Sequence, residues 1–360
     1  MAAARVIDSD AHVDETEATW EFVGPDAAQF KPTAGQADRD GGRRYWLIDG
    51  RKEGRPTRDD RISKTTVETR ELLDVPARLR HMDELGIDMQ VIYPSMFLQV
   101  PTVQPEAELA ISRAYNRWLA ECTAESGGRL RWVCVPPLRN MDEALAELRF
   151  AKDHGACGVL KKSDYEVDYV PYDPYFWPLY EEAERLSMPI CLHAGSGVFR
   201  PEGGPEVNRF FGLGFVGVMV GIYSVMANGI PARFPKLRIG AIEAGAAWLP
   251  AVSHWLQRGV GKPHLFQTGQ QRNLQGEVPR EISFAANRVY VTCHVDDDLP
   301  MLLNYISEDN LLVGSDYGHT DMNEELGFSS GLQELAERGL IPETMPAKVL
   351  RDNARVFYDL

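Results

Sequence analysis

The sequence predicts an α/β fold, a (β/α)₈ TIM barrel, on three observations. Eight short β-type runs can be counted along the 360 residues, helix-like stretches separate most of them, and a glycine often stands where a helical pattern gives way to the next strand, as at Gly86 and Gly155. Strands that alternate with helices pair in parallel through right-handed crossovers. Eight such strands are the number that closes this kind of barrel.

The predicted strands are short apolar runs, and the stretches between them carry apolar residues at helical spacing. In chain order the strands are Arg5–Asp8, Ile87–Tyr93, Leu130–Val135, Gly158–Lys162, Pro189–His193, Leu237–Glu243, Arg288–Cys293 and Asn310–Ser315. The helices are Pro76–Leu85, Ala107–Glu125, Met141–His154, Tyr175–Leu186 and Met301–Ile306.

The ends of these helices carry the residues that helix ends prefer. Asn140 stands at the N-cap position of the third predicted helix, and Gly155 follows its last residues. The same elements could also form an open, doubly wound sheet. No G-x-G-x-x-G follows the first strand, however, so the usual dinucleotide-binding motif of that fold is missing.

We predict one barrel domain over residues 1–360 with insertions after strands 1 and 5. The first insertion, residues 14–75, has few apolar repeats, and we expect it to fold over the barrel mouth as a lid. Within it, Tyr45–Arg51 predicts half of a small hairpin. The second insertion, residues 196–230, is rich in glycine and apolar residues and is a candidate subunit contact.

One stretch of the second insertion is long enough to cross a bilayer. The 23 residues of Phe210–Ala232 contain no charge. They include five glycines, Asn228 and Pro231, and no basic cluster flanks them. We therefore expect a helix that packs against the barrel or another subunit, and no membrane span.

Composition limits the function classes. The formal net charge is -15, the pI is about 5.1, and no block of lysine and arginine stands out, which disfavours nucleic acid as a partner. The five cysteines form no C-x-x-C pair, and the amino terminus carries no apolar signal-peptide core. These features predict a cytoplasmic protein with reduced cysteines.

Two metal-ligating side chains flank one alanine directly after the first strand. Asp10 and His12 project to the same side if the strand geometry persists, because alternate residues of a strand share a face. A carboxylate and an imidazole at the end of a barrel strand lie where this fold builds active sites.

The other predicted strand ends carry similar residues. Four of the eight histidines lie at or just beyond strand ends, namely His12, His193, His294 and His319. Glu243 ends the sixth strand and Asp316 follows the eighth. Since the carboxyl ends of barrel strands share one rim, we expect these groups to form a metal site.

Several motifs along most of the chain resemble one family. They are Val6–His12, Met82–Asp88, Pro189–His193, Phe234–Ile239, Leu312–Tyr317 and Val349–Tyr358. With them the sequence resembles the amidohydrolase-2 group of the amidohydrolase superfamily, the metal-dependent barrel enzymes that include aminocarboxymuconate semialdehyde decarboxylase. The resemblance implies a divalent metal on Asp10, His12, His193 and Asp316, and an acid/base group after the sixth strand, where this chain has Glu243.

The sequence departs from the family pattern at two positions. The first motif is Asp10-x-His12 where the family commonly has His-x-His or Glu-x-His, and a carboxylate there shifts the preference from zinc toward manganese or iron. Glu243 replaces the usual histidine after the sixth strand. This opens an alternative with a second ion, whose ligands would be Glu15, Glu243, His294 and His319.

Three functions follow as alternatives. The first is hydrolysis or non-oxidative decarboxylation of a small carboxylate- or carbonyl-containing substrate, with Asp316 or Glu243 moving the proton. The second is a dinuclear non-haem iron oxygenase on the same fold. The third is a catalytically silent partner subunit. We expect a homodimer, or a hetero-oligomer with a related subunit. The sequence does not assign residues that bind the substrate.

Overall fold

The computed structural model describes residues 6–36, 44–163, 165–195, 216–260, 282–320 and 323–360. Eight parallel strands form one sheet whose order follows the chain. They are β1 (Ile7–Val13), β5 (Met89–Pro94), β6 (Leu130–Cys134), β7 (Ala156–Lys162), β8 (Ile190–His193), β9 (Ile239–Ile242), β10 (Val289–Thr292) and β11 (Leu311–Leu312). All eight predicted strands are therefore confirmed.

The sheet closes between its last strand and its first. A parallel bridge joins Ala11 to Tyr317, and the amide of His12 donates to the Tyr317 carbonyl at 2.9 Å. The amide of Asp316 donates to the Asp10 carbonyl, also at 2.9 Å. The predicted (β/α)₈ barrel is confirmed, and the open doubly wound sheet is wrong.

Helices connect the strands. Those of eight residues or more are Val75–Leu85, Pro105–Ala124, Met141–Asp153, Trp177–Arg185, Gly217–Ala227, Leu249–Val260 and Phe328–Glu337. Shorter α-helices lie at Glu17–Trp20, Asp60–Ser63, Val67–Arg70, Ile230–Arg233, Leu299–Leu302, Met345–Ala347 and Asn353–Tyr358. Single 3₁₀ segments lie at Pro25–Phe30, Met96–Leu98, Pro174–Phe176 and Glu308–Asn310, and Lys348–Asp352 is a π-helical segment.

Three predicted elements differ by more than two residues from the observed ones at an end. The first strand, predicted at Arg5–Asp8, extends to Val13. The helix predicted at Met301–Ile306 is the short helix Leu299–Leu302, because the Asp298 side chain caps it by accepting from the Met301 amide. The strand predicted at Asn310–Ser315 pairs regularly only over β11, since the residues that follow bond to the end of β1 instead.

The chain divides into two compact units. The first contains residues up to Leu160 together with Gly314–Gly327, and it includes the insertion at 14–75. That insertion forms an antiparallel sheet of β2 (Thr33–Gln36), β3 (Arg44–Ile48) and β4 (Arg51–Gly54), which confirms the predicted hairpin at Tyr45–Arg51.

The small sheet and the residues after it contact the first residues of the same insertion, just after β1. Trp46 of β3 is buried and meets Trp20 edge to face, with ring centroids 5.6 Å apart. Arg55 donates to both carboxylate oxygens of Glu17 at 2.6 and 2.9 Å, and Arg58 donates to Asp14 at 3.0 Å. Bidentate arginine–carboxylate pairs hold an orientation as well as a distance. That the insertion acts as a lid stays a prediction.

The second unit spans Lys161–Val313 and Phe328–Leu360. Of the predicted insertion at 196–230, residues 196–215 lie outside the described part of the chain, and the remainder includes the helix Gly217–Ala227. This helix is tightly packed at Gly221, where an added Cβ would lie 2.0 Å from the Ser163 carbonyl oxygen. The predicted subunit contact is untested and stays a prediction.

The described helices include none that could cross a bilayer, whether judged by length or by apolar content. The apolar run at Phe210–Ala232 begins outside the described residues.

The seam between the last and first strands leaves no room for a side chain at Gly314. A Cβ there would lie 2.3 Å from the Asp10 Cβ and 3.2 Å from the Asp10 Cα. We expect Gly314→Ala to lower the free energy of unfolding by about 1–3 kcal/mol, the usual range for overpacking, as measured by denaturant unfolding. Gly24→Ala is the control, because nothing lies within 4 Å of its added Cβ. Equal stability of the two variants would contradict this account of the seam.

Candidate metal centre

The end of β1 presents two metal-ligating side chains together. Every residue of β1 is buried, and the Nε2 atom of His12 lies 3.3 Å from Oδ1 of Asp10. The strand is irregular here, with a register shift between Asp8 and Ala11 in its pairing with β5. The prediction that Asp10 and His12 face the same way is confirmed.

The loop after β11 brings two more donors to the same place. Oδ1 of Asp316 lies 3.4 Å from the His12 Nε2 and 2.7 Å from Nδ1 of His319. The rings of His12 and His319 are stacked, with centroids 3.8 Å apart and planes inclined by 20°. All four side chains are buried, with residue exposures of 6% or less. We call Asp10, His12, Asp316 and His319 the donor cluster.

The backbone of Asp316 is in the left-handed region, with φ at 50°. In any residue other than glycine such a conformation costs free energy, and it persists only where the surrounding structure imposes it. Here the Asp316 amide is held by the Asp10 carbonyl at 2.9 Å. With this backbone conformation the Asp316 carboxylate lies against His12. Strained backbone conformations of this kind are typical of functional sites.

The tautomer of His12 follows from its hydrogen bond. Its Nδ1 lies 3.1 Å from the Pro94 carbonyl oxygen, which can only accept, so the proton sits on Nδ1. The Nε2 lone pair then faces the carboxylates of Asp10 and Asp316. A lone pair among anions is stabilised by a cation between them, and a backbone carbonyl behind a histidine is the usual support of a metal ligand.

The spacing of the donor atoms also fits one ion. Two ligands each about 2.1 Å from a common ion lie about 3.0 Å apart at a right angle and about 3.4 Å apart at a tetrahedral angle. The separations of 3.3 and 3.4 Å around His12 Nε2 lie in that range. The donor set therefore suits a divalent metal ion.

His193 and Glu243 form a second pair of donors, in the second unit. The Nδ1 of His193 donates to the Ala194 carbonyl at 2.9 Å and lies 3.2 Å from Oε2 of Glu243. The proton therefore sits on Nδ1 and the lone pair on Nε2, the same tautomer as in His12. Glu243 repeats the strained backbone of Asp316, with φ at 58°, and its amide is held by the Thr292 hydroxyl.

The residues predicted for a second ion have different surroundings. His319 lies with Asp316, and Glu243 lies with His193. Glu15 is buried, and its Oε2 accepts from the Met96 amide at 2.9 Å. His294 is half-buried, and its amide donates to Asp297. A second ion, and the sharing of one ion by His193 with the donor cluster, stay predictions.

Two supporting residues escaped the sequence analysis. The Ser95 hydroxyl lies 3.0 Å from the Nε2 of His319 and holds that ring from behind. Asp8 is fully buried and accepts from the amide and hydroxyl of Ser315 at 2.8 and 2.5 Å, while burial raises its pKa to about 6. A carboxylate within an otherwise apolar strand is the sequence feature that could have indicated a buried structural role for Asp8.

The sequence model of the family described as amidohydrolase matches residues 7–360. The chain belongs to the amidohydrolase family. This confirms the resemblance noted from the motifs, and the match extends from β1 to the C-terminus.

Among curated relatives, the chain is 26% identical over 317 residues to gamma-resorcylate decarboxylase of Rhodococcus jostii, covering 80% of this chain and 89% of the relative. It is 22% identical over 252 residues to 2-amino-3-carboxymuconate-6-semialdehyde decarboxylase of Dictyostelium discoideum, covering 68% and 66%.

Two solved structures show the same amidohydrolase fold. An amidohydrolase from Mycobacterium avium subsp. paratuberculosis superimposes with a TM-score of 0.77 at 21% identity, over 99% of this chain and 100% of the other. A dihydroxybenzoic acid decarboxylase from a Polaromonas species, solved with bound manganese and the inhibitor 2-nitroresorcinol, gives 0.64 at 18% identity, over 100% and 98%.

Glu15 makes the stability of the protein depend on pH. Burial raises the pKa of its carboxyl from 4.5 to about 8. The folded state therefore binds a proton that the unfolded state releases between these values, and the contribution of Glu15 to stability is lost as pH rises through that window. Relative to Glu15→Gln, we expect the wild type to lose up to about 4 kcal/mol of unfolding free energy between pH 5 and 8, at 1.36 kcal/mol per pKa unit.

The measurement is denaturant unfolding of both proteins at each pH, with excess chelator so that metal binding does not contribute. Glu68→Gln, at an exposed position, is the control and should leave the pH dependence of the wild type unchanged. Parallel pH profiles for the wild type and Glu15→Gln would contradict a protonated Glu15.

Proposed function

We propose that this protein is a metal-dependent, non-oxidative decarboxylase of a small aromatic or unsaturated carboxylic acid. One observation carries the proposal: a buried cluster of carboxylates and imidazoles, spaced as ligands of one ion, in an amidohydrolase whose matched curated relatives are both named decarboxylases. The substrate itself is left open.

The ligands we propose are Asp10, His12, His193 and Asp316. The first two and the last belong to the donor cluster, and His193 presents its Nε2 through the same kind of support as His12. Two carboxylates make a hard donor set, which favours manganese or iron over zinc. When bound, the ion supplies the positive charge that orients an anionic substrate and stabilises charge on its oxygens.

The chain itself must deliver a proton. In decarboxylation the bond from the substrate carbon to the carboxylate breaks, its electron pair stays on that carbon, and the carbon takes up a proton as carbon dioxide leaves. Asp316 is our proposed donor, because it is buried and the imidazole of His319 lies 2.7 Å away. His319 can return a proton to Asp316 after each turnover, while Ser95 keeps its ring in place. Glu243, beside His193, is the alternative donor.

The other functions predicted from the sequence are not favoured. Hydrolysis would use the same carboxylates to activate water, but both curated relatives carry names of decarboxylases. An iron oxygenase would need the second ion, and a silent subunit would have no reason to retain the strained Asp316 and Glu243. Assembly into a homodimer, or into a hetero-oligomer with a related subunit, remains a proposal from the sequence.

Carbon dioxide release under argon tests the reaction. With manganese-loaded protein and a panel of hydroxybenzoates that includes gamma-resorcylate, we expect one carbon dioxide per substrate consumed, without oxygen. Chelation should abolish turnover and added manganese should restore it. Turnover that requires oxygen would favour the oxygenase, and turnover that persists after complete metal removal would contradict the proposal.

The role of Asp316 is tested by Asp316→Asn. The amide retains the shape of the side chain but cannot carry the proton and is a weaker metal ligand than the carboxylate, so we expect kcat to fall by at least about 100-fold even with manganese in excess. Circular dichroism should show an unchanged fold. Asp309→Asn makes the same chemical change at an exposed aspartate that pairs with Lys348, and it serves as the control. Activity of Asp316→Asn near that of the control would remove Asp316 from the mechanism.

A further inference from the structure

Arg78 is a buried cation beneath the donor cluster. It lies on the helix Val75–Leu85 and is 0% exposed. Among the described residues no carboxylate lies within ion-pair distance of its guanidinium. A buried charge without a counterion is costly, and the other contacts of the guanidinium must compensate for that cost.

The contacts of Arg78 lead to both segments that carry the donor cluster. Its Nη1 donates to the backbone carbonyl of His12 at 3.2 Å and to that of Thr69 at 3.2 Å. Its guanidinium carbon lies 3.5 Å from the centre of the Tyr317 ring, a cation–π contact with the residue next to Asp316. One rigid group thus touches the end of β1 and the loop after β11.

A second set of hydrogen bonds continues from Arg78 to the same loop. Its Nε donates to Oε1 of Gln90 at 2.7 Å, and the Gln90 amide nitrogen donates to Oδ2 of Asp8 at 2.8 Å. Asp8 in turn accepts from the amide and hydroxyl of Ser315. The residues on either side of Asp316 are therefore both tied to Arg78, Tyr317 directly and Ser315 through two side chains.

These contacts explain how Asp316 keeps its left-handed backbone. A strained residue persists when its neighbours are held on both sides. The hydroxyl of Tyr317 is also bonded to His81 Nδ1 at 2.7 Å, so its ring cannot turn away from the guanidinium. Loss of the Arg78 guanidinium would remove the contacts of the His12 carbonyl and of the Tyr317 ring together.

We propose that Arg78 is the positioning residue of the metal centre. It holds His12 and Asp316 in place before the ion arrives, because its planar guanidinium makes three hydrogen bonds and one cation–π contact at once. The inference rests on the proposed metal-dependent function. A lysine retains the charge but has a single ammonium group and no planar fork, so it cannot replace these contacts.

The test measures metal binding to the protein and does not depend on turnover. The Kd of Mn²⁺ is measured by calorimetry for chelator-treated wild type, Arg78→Met and Arg78→Lys. We expect both variants to bind at least about tenfold more weakly, the range seen when supports of metal ligands are lost. The visible absorption of bound Co²⁺ should change in both, because it reports ligand geometry. Wild-type affinity in Arg78→Lys would overturn the proposal.

Glu147→Gln separates positioning from general stability. Glu147 is also buried and accepts from Arg113, Arg117 and Asn116, so its loss destabilises the same unit without contacting the donor cluster. We expect it to lower the melting temperature and to leave the Mn²⁺ Kd and the Co²⁺ spectrum unchanged. An equal loss of affinity in Glu147→Gln would overturn the proposal, because destabilisation alone would then explain the effect.

Gln90→Met covers the case in which Arg78→Met does not fold. It removes one anchor of the guanidinium, and we expect a smaller loss of Mn²⁺ affinity, about threefold on the same scale. If either Gln90→Met or Arg78→Lys bound Mn²⁺ as tightly as the wild type, the positioning role of Arg78 would be overturned, whereas the metal centre would still stand. If the wild type itself binds neither Mn²⁺ nor Co²⁺, the proposed function fails first.

Discussion

The seam between the last and first strands is the constraint on which the donor cluster depends. Backbone hydrogen bonds run from the amides of Ser315 and Asp316 to the Asp10 carbonyl, and from the His12 amide to the Tyr317 carbonyl. Residues 10 and 316 are more than three hundred positions apart in sequence, and the ladder at this seam fixes them against each other. Because a side chain at Gly314 would collide with Asp10, the seam is also closely packed.

The electrostatics of the cluster follow from that geometry. The seam places the carboxylates of Asp10 and Asp316 around one imidazole nitrogen, in a buried position where water cannot separate their charges. The Pro94 carbonyl assigns the proton of His12 to the other nitrogen. The arrangement concentrates negative charge and lone pairs, and a divalent cation is the species that neutralises both. Arg78 supplies a buried positive charge that contacts the His12 carbonyl and the Tyr317 ring.

Much of this could be predicted from local sequence. The alternation of apolar runs with helical patterns indicated the barrel, because parallel strands and crossover helices have different hydrophobic periods. The pair Asp10 and His12 was predictable, since two residues separated by one in a strand share a face. His193, Glu243 and Asp316 were predictable as strand-end residues. Arg78, Gln90 and Ser95 were not, because their importance lies in contacts with residues far away in sequence.

The sequence by itself determined the fold class, the family motifs and the chemical types of the donors. Tertiary structure alone decided that His319 stacks on His12, that Glu15 bonds to the Met96 amide, and that Asp316 and Glu243 adopt left-handed backbones. The physical reason is one of range. Periodicity and residue type act over a few positions along the chain, whereas ligand distance, tautomer and backbone strain are set by hydrogen bonds that only the closed barrel forms.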